Sequence, residues 1–102
     1  MIIGRVVGNI VCTQKDESLF GKKMLLVQPV SPYTLEEESS CVVALDAVGA
    51  GDGELVMVVG GSSARNADGY SKVAVDQAII GIVDLLDIKG KTVYDKSTGS
   101  GR

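Results

Sequence analysis

The sequence predicts an all-β fold, a small closed or partly open barrel of five short strands, and three observations carry that prediction. The apolar residues, 45% of the 102-residue chain, are almost all Val, Ile, Leu and Ala, with one Phe, three Tyr and no Trp. Branched aliphatic side chains of this kind fit a pleated, half-buried surface. The apolar runs are of strand length and are separated by Gly, Pro and polar stretches, with no long run of helical period. Five such strands without a helix to cover them bury their apolar faces best by closing on themselves.

The first strand is expected over Ile2 to Thr13, which alternates. Ile2, Val6, Ile10 and Cys12, with Gly4 and Gly8 between them, form the inward face. Arg5, Asn9 and Thr13 lie on the other, among Ile3, Val7 and Val11. Glycines inside a strand mark a bend or a bulge, as barrels need at their corners. Gln14 to Lys23 is polar and contains Gly21, a loop. Lys23 to Val30 is the second strand, stopped by Pro29 and Pro32, and its unbroken Met24-Leu25-Leu26-Val27 asks for burial on both faces. Ser31 to Ser40 is a loop whose Glu36-Glu37-Glu38 run reads as a solvated tip. Cys41 to Asp46 and Glu54 to Val59 are the third and fourth strands. Ala64 to Lys72 is an irregular excursion with turn formers Asn66, Asp68 and Gly69, and Val73 to Ala78 is expected as a short helical turn. Ile79 to Leu86 is the fifth strand, Lys89-Gly90-Lys91 turns the chain, and Thr92 to Asp95 adds a short edge strand. These pieces form a single domain over 1–95, followed by a flexible Ser- and Gly-rich tail over 96–102.

A barrel fills its interior with one face of each strand, which leaves the other face to solvent. Here Leu25, Val27, Val42, Val56 and Val58 sit opposite the residues assigned to the core. Leaving them wet would be costly at roughly 25 cal/mol per Å². A neighbouring subunit is the simplest cover.

The formal net charge of −3 argues against nucleic acid, which selects basic clusters. The scarcity of aromatic rings argues against single-strand stacking. The chain has no histidine, the commonest metal ligand and general base. Cys12 and Cys41 have no CxxC spacing and are expected to be reduced thiols in a soluble, cytosolic protein. Cys12 falls on the buried face as a small core hydrophobe. No apolar run reaches membrane-spanning length. No cofactor, metal or catalytic residue is expected.

Gly49-Ala50-Gly51-Asp52-Gly53-Glu54 resembles a phosphate loop only superficially, because a strand follows it and no Lys-Ser/Thr pair is present. Its glycines supply backbone turns through positive φ, either as a tight turn or as a close contact between subunits. Gly60 and Gly61 are expected to do the same at the end of the fourth strand. In Gly61-Ser62-Ser63-Ala64-Arg65 the serines have no base to activate them, so they satisfy loop amides. Arg65 pairs with a carboxylate or with carbonyls across an interface. Asp46, Glu54, Asp76 and Asp84 are scattered acids without a Ca²⁺-loop spacing.

In this order the pieces resemble the bacterial microcompartment vertex proteins, the pentamer-forming shell family of EutN/CcmL type. The resemblance runs from Ile2 to Asp84. It rests on Val11-Cys12-Thr13-Gln14-Lys15 with Leu19 and Gly21-Lys22-Lys23-Met24-Leu25-Leu26-Val27, and on Val43-Ala44-Leu45-Asp46 with Val48-Gly49-Ala50-Gly51 and Gly53-Glu54. Gly61-Ser62-Ser63-Ala64-Arg65, Val75-Asp76 and Gly81-Ile82-Val83-Asp84 complete it. Ala74 departs from the proline often found before Val-Asp, and Met24 from a common leucine. The resemblance implies an OB-like barrel that assembles as a cyclic homopentamer, caps the vertices of a polyhedral shell beside hexameric shell proteins, and binds neither nucleic acid nor membrane. It makes Gly49, Ala50, Gly51, Gly53, Glu54, Gly61, Ser62, Ser63 and Arg65 the candidate interface or pore residues. The other classes consistent with the residues are an OB-type module for a small ligand, sugar or nucleic acid, and an enzyme subunit, which would need a convergent polar site.

Overall fold

Alternation over the first residues builds β1 (Ile2–Ile10), which pairs antiparallel on one side with β2 (Met24–Pro29) and on the other with β4 (Leu55–Gly60). The computed structural model describes residues 1–13, 21–60 and 77–98. Within them β3 (Val42–Asp46) and β5 (Gln77–Ile82) complete a closed barrel in the order β1-β2-β3-β5-β4. The closing seam, β3 with β5, is its one parallel pair, with Leu45 opposite Ala78. A tight hairpin cannot join parallel neighbours, and β4 lies between the two in sequence. The register of β1 on β2 shifts between Val6 and Gly8, the irregularity expected of the glycines there.

The interior is aliphatic: Val6, Leu25, Val27, Ala44, Val56, Val58 and Ile79, with Ala50. This reverses one expectation. Leu25, Val27, Val56 and Val58 were assigned to the outward face, yet each is at most 2% exposed and fills the barrel, while Val42 is half-buried against them. Several residues on the opposite face of the same strands are covered within the chain. Met24, Leu45, Val59 and Ala78 form a second cluster, and Leu55 joins Val30, Leu35 and Tyr94 in a third. When both faces of a strand are apolar, period two carries no sign, and only closure of the barrel decides which face enters it. Those residues therefore do not by themselves demand a neighbour. The apolar side chains left exposed are others, among them Val7, Val11, Val43 and Val48.

The expected fifth strand, Ile79 to Leu86, is two strands. β5 ends at Ile82, Val83 donates its N–H to the Leu55 carbonyl at 2.8 Å, and the chain bends at Asp84. β6 (Leu85–Ile88) then pairs with β7 (Lys91–Asp95), not with the barrel. Lys89 (φ 52°) and Gly90 (φ 80°) join them, the double positive φ of a type I′ hairpin turn, whose twist matches that of the strands. The edge strand expected over Thr92 to Asp95 is thus half of a separate hairpin. Its Tyr94 is 7% exposed and packs in the third cluster, with Leu86 and Val93 against its margin.

The helical turn expected over Val73 to Ala78 falls mostly outside the described residues, and Gln77 and Ala78 belong to β5. The tail expected to be free from Lys96 is tied down at its start. Lys96 donates its N–H to the Asp84 carbonyl at 3.0 Å, and the Asp95 carboxylate accepts from the N–H and hydroxyl of Ser97 at 3.0 and 2.7 Å. No disulfide joins Cys12 to Cys41. Cys12 is half-buried against the second cluster, and Cys41 is exposed, with its Sγ donating to Gln28 Oε1 at 3.2 Å.

Candidate subunit interface around the glycine turn

The Gly49–Glu54 turn is the part of the candidate surface that the described residues contain. It starts at Asp46, the last residue of β3, whose Oδ1 accepts the N–H groups of Val48 and Gly49, both at 3.0 Å. A short acidic side chain bonding the backbone two and three residues ahead is the standard way to start such a turn. Gly49 then adopts φ 81°, and the chain drops Ala50 into the barrel, where it is fully buried. Lys23 crosses from β2 to hold this descent: its Nζ donates to the Ala50 carbonyl at 2.8 Å and lies 3.8 Å from Asp46 Oδ2.

The turn's second half is fastened to β1. Gly53, with φ 81°, donates its N–H to the Val6 carbonyl at 2.9 Å, and Val6 returns its N–H to Glu54 at 3.0 Å. Arg5 Nη1 donates to the Gly53 carbonyl at 2.8 Å, and its guanidinium carbon stands 5.8 Å from the Tyr94 ring centroid. That distance is within cation–π range, worth about 0.5–1 kcal/mol at an exposed site. Glu54 Oε1 accepts the Gly51 N–H at 2.6 Å while its other oxygen takes a hydrogen bond from Lys96. Gly51 does not use positive φ, and neither does Gly60, which ends β4 in extended form.

What this leaves outside is Ala47, Val48, Gly49, Asp52 and Gly53, a surface of backbone and small side chains. Such a surface lets another chain approach closely. Ala50 has no surface of its own to offer. Gly61, Ser62, Ser63 and Arg65 lie outside the described residues. Lys23, Arg5, Tyr94 and Lys96 build the turn but were not among the site residues read from the sequence. Asp46 followed by Val48-Gly49 was a local signal that could have been read, whereas the other four act over long separations that leave no trace in spacing. Among the described residues no three of Cys, Asp and Glu stand together as a metal-binding set.

The hydrogen bond from Lys96, then that from Gly51, holds the Glu54 carboxyl below its ordinary value of 4.5. The unfolded chain therefore binds the extra proton first. Glu54 contributes stability above about pH 4.5, and that contribution is lost as pH falls through its lowered folded value. Glu54→Gln, which cannot ionise, should flatten the fall of Tm as pH drops below about 4.5. Unchanged slopes in thermal melts would show that the Glu54–Lys96 pair does not couple to folding.

The comparisons with known proteins agree with this geometry. The family model described as "Ethanolamine utilisation protein EutN/carboxysome" matches residues 1–84. The bacterial microcompartment shell vertex protein GrpN of Rhodospirillum rubrum is 44% identical over 87 residues, spanning 85% of this chain and 97% of GrpN. PduN of Salmonella typhimurium, also a microcompartment shell vertex protein, is 48% identical over 94 residues, spanning 84% of this chain and 98% of PduN. The solved structure of CcmL from Gloeobacter violaceus superposes with a TM-score of 0.89 at 39% identity, covering 95% of this chain and 99% of that one. The structure of GrpN, described as a pentameric microcompartment shell protein, superposes at 0.78 with 43% identity over 86% of this chain and 99% of that one. These relatives are structural proteins of microcompartment and carboxysome shells rather than enzymes. The strand order of the barrel, the glycine turn and the match over residues 1–84 together make this chain a member of the EutN/CcmL family of microcompartment shell proteins.

Proposed function

We propose that this chain is a structural protein of a bacterial microcompartment shell in the cytoplasm, where it forms a cyclic homopentamer that caps the vertices of the polyhedral shell beside hexameric shell proteins. The observation that carries the reading is the likeness, at 43% identity and TM-score 0.78, to the GrpN chain whose structure is described as pentameric. A sheet tiled by six-fold units is flat and closes only where five-fold units take the corners, which is the geometric use of such a ring. No ligand, metal, nucleic acid or membrane enters this role, and the fold is read as one shell domain.

Native mass spectrometry should find one species of about 53 kDa, five times the 10.6 kDa chain. Arg65→Ala should weaken that species without unfolding the barrel, because a guanidinium fork holds an interface geometry that a methyl group cannot. A stable monomer or dimer at micromolar concentration would sink the vertex reading. A pentamer indifferent to Arg65→Ala would remove only that contact.

A further inference from the structure

The β6–β7 hairpin sits on a barrel that closes without it. Its two strands pair only with each other, and neither contributes a residue to the barrel interior. A two-stranded hairpin is marginal by itself, so its order depends on its seat. That seat is Tyr94, buried outside the barrel in one cluster with Val30, Leu35 and Leu55. Leu35 reaches the same cluster from the loop over 31–40, and it does so at φ 62°. A leucine stays in that left-handed region only where its surroundings over-determine it. The backbone bonds of the loop, Leu35 N–H to the Ser31 carbonyl at 2.8 Å and Glu38 N–H to the Pro29 carbonyl at 2.9 Å, tie it to itself and to the end of β2. The glycine turn meets Tyr94 through Arg5. Arg5 Nη1 holds the Gly53 carbonyl, whereas Nη2 is buried and has no hydrogen-bond partner among the described residues. The Tyr94 ring is what the cation has instead. Lys96, two residues past Tyr94, fastens Glu54 of the same turn.

We infer that Tyr94 is a clasp which, from outside the barrel, couples the acidic loop over 31–40 to the glycine turn over 49–54, so that loosening either one loosens the other. Among the described residues no hydrogen bond joins the loop to the turn directly. With the ring gone, Leu35 loses the packing that offsets its positive φ. Arg5 Nη2 is then left buried with no partner of any kind, the expensive state for a charged donor. Local opening relieves both penalties: Leu35 returns to negative φ, and Arg5 turns to water and lets go of the Gly53 carbonyl. The coupling runs in both directions, as a free energy shared by two sites must. Every contact in it lies within one chain, so the clasp goes beyond the proposed ring and does not depend on it.

The test is hydrogen–deuterium exchange of the full chain, read by mass spectrometry on peptides covering 31–40, 47–54, 85–95 and the β2 and β3 strands. Tyr94→Ala should speed exchange about fivefold or more in both 31–40 and 47–54, and leave β2 and β3 at the rates of the unmodified chain. Tyr94→Phe, which keeps the ring, should restore both segments. Leu35→Ala approaches from the other side and should speed exchange in 47–54 and 85–95 as well as in its own loop. The native mass of each variant should equal that of the unmodified chain. Loosening of only one of the two segments by Tyr94→Ala would overturn the coupling, and so would a Leu35→Ala effect confined to 31–40. A Tyr94→Ala chain that fails to fold, or that exchanges faster in β2 and β3 too, would make Tyr94 part of the barrel's own stability and not a clasp upon it. Tyr94→Phe behaving like Tyr94→Ala would take the role from the ring. A changed native mass would move the effect from within the chain to its assembly, which also overturns the inference.

Discussion

Gly4→Ala should lower the stability of the barrel by about 3 kcal/mol, the upper part of the range for overpacking a tight core. A Cβ at Gly4 would stand 2.4 Å from Val27 Cγ1 and 2.9 Å from the Gln28 carbonyl oxygen. Val27 can rotate, but the Gln28 carbonyl belongs to β2, which pairs with β1 at this point and cannot retreat without opening the barrel. For a chain of this size the loss corresponds to a fall in Tm of roughly 12–24 °C. Val27→Ala should partly rescue it, because the removed methyl vacates the space the new one needs. The double variant should then be less destabilised than the sum of the singles, a coupling that urea melts resolve. Gly8→Ala is the control in the same strand: with Leu26 Cβ at 3.9 Å it should change stability by no more than about 0.5 kcal/mol. Equal melting temperatures for Gly4→Ala and the unmodified chain would mean that β1 and β2 do not approach as described.

Ala50→Asp should abolish the folded barrel. Ala50 is fully buried among Val6, Leu25, Val56 and Val58, and a carboxylate there loses its water without gaining a cation, at a cost of several kcal/mol. A domain's whole stability is about 5–15 kcal/mol. Lys23 Nζ is already bonded to the Ala50 carbonyl and stands beside Asp46. Asp52→Ala, two residues on and exposed, should stay within about 0.5 kcal/mol of the parent. Soluble yield and circular dichroism separate the two results. An Ala50→Asp chain that folds and merely fails to assemble would make Ala50 an interface residue and contradict its place in the barrel.

The first four barrel strands, and the middle of the fifth, were legible because each is a short apolar run bounded by glycine, proline or polar residues, and local patterns of that kind need only a few neighbours to be read. The glycine turn was legible for the same reason. At Gly49 and Gly53 the backbone does take positive φ, whereas Gly51 serves instead as the donor to Glu54. The family resemblance also lay in the order of local motifs, and the match over residues 1–84 follows it.

The sidedness of the strands was not legible. Met24-Leu25-Leu26-Val27 and Leu55-Val56-Met57-Val58-Val59 are apolar at both parities, so alternation could not say which set faces in. Closure of the barrel decides it, turning Leu25, Val27, Val56 and Val58 into the interior and sending Met24, Leu55 and Val59 to clusters on the other side. The break at Val83-Asp84 is likewise tertiary, since the Leu55 carbonyl takes the Val83 N–H and the chain leaves the barrel to form a hairpin. So is the anchoring of Lys96 on Glu54, forty-two residues away in sequence. By itself the sequence determined where the first four strands and the glycine turn fall and which family they belong to, because each depends on residues adjacent in the chain. Only the tertiary structure decided which face is core and what fastens the turn, because both depend on which distant backbone and side-chain groups closure brings within hydrogen-bond or van der Waals reach.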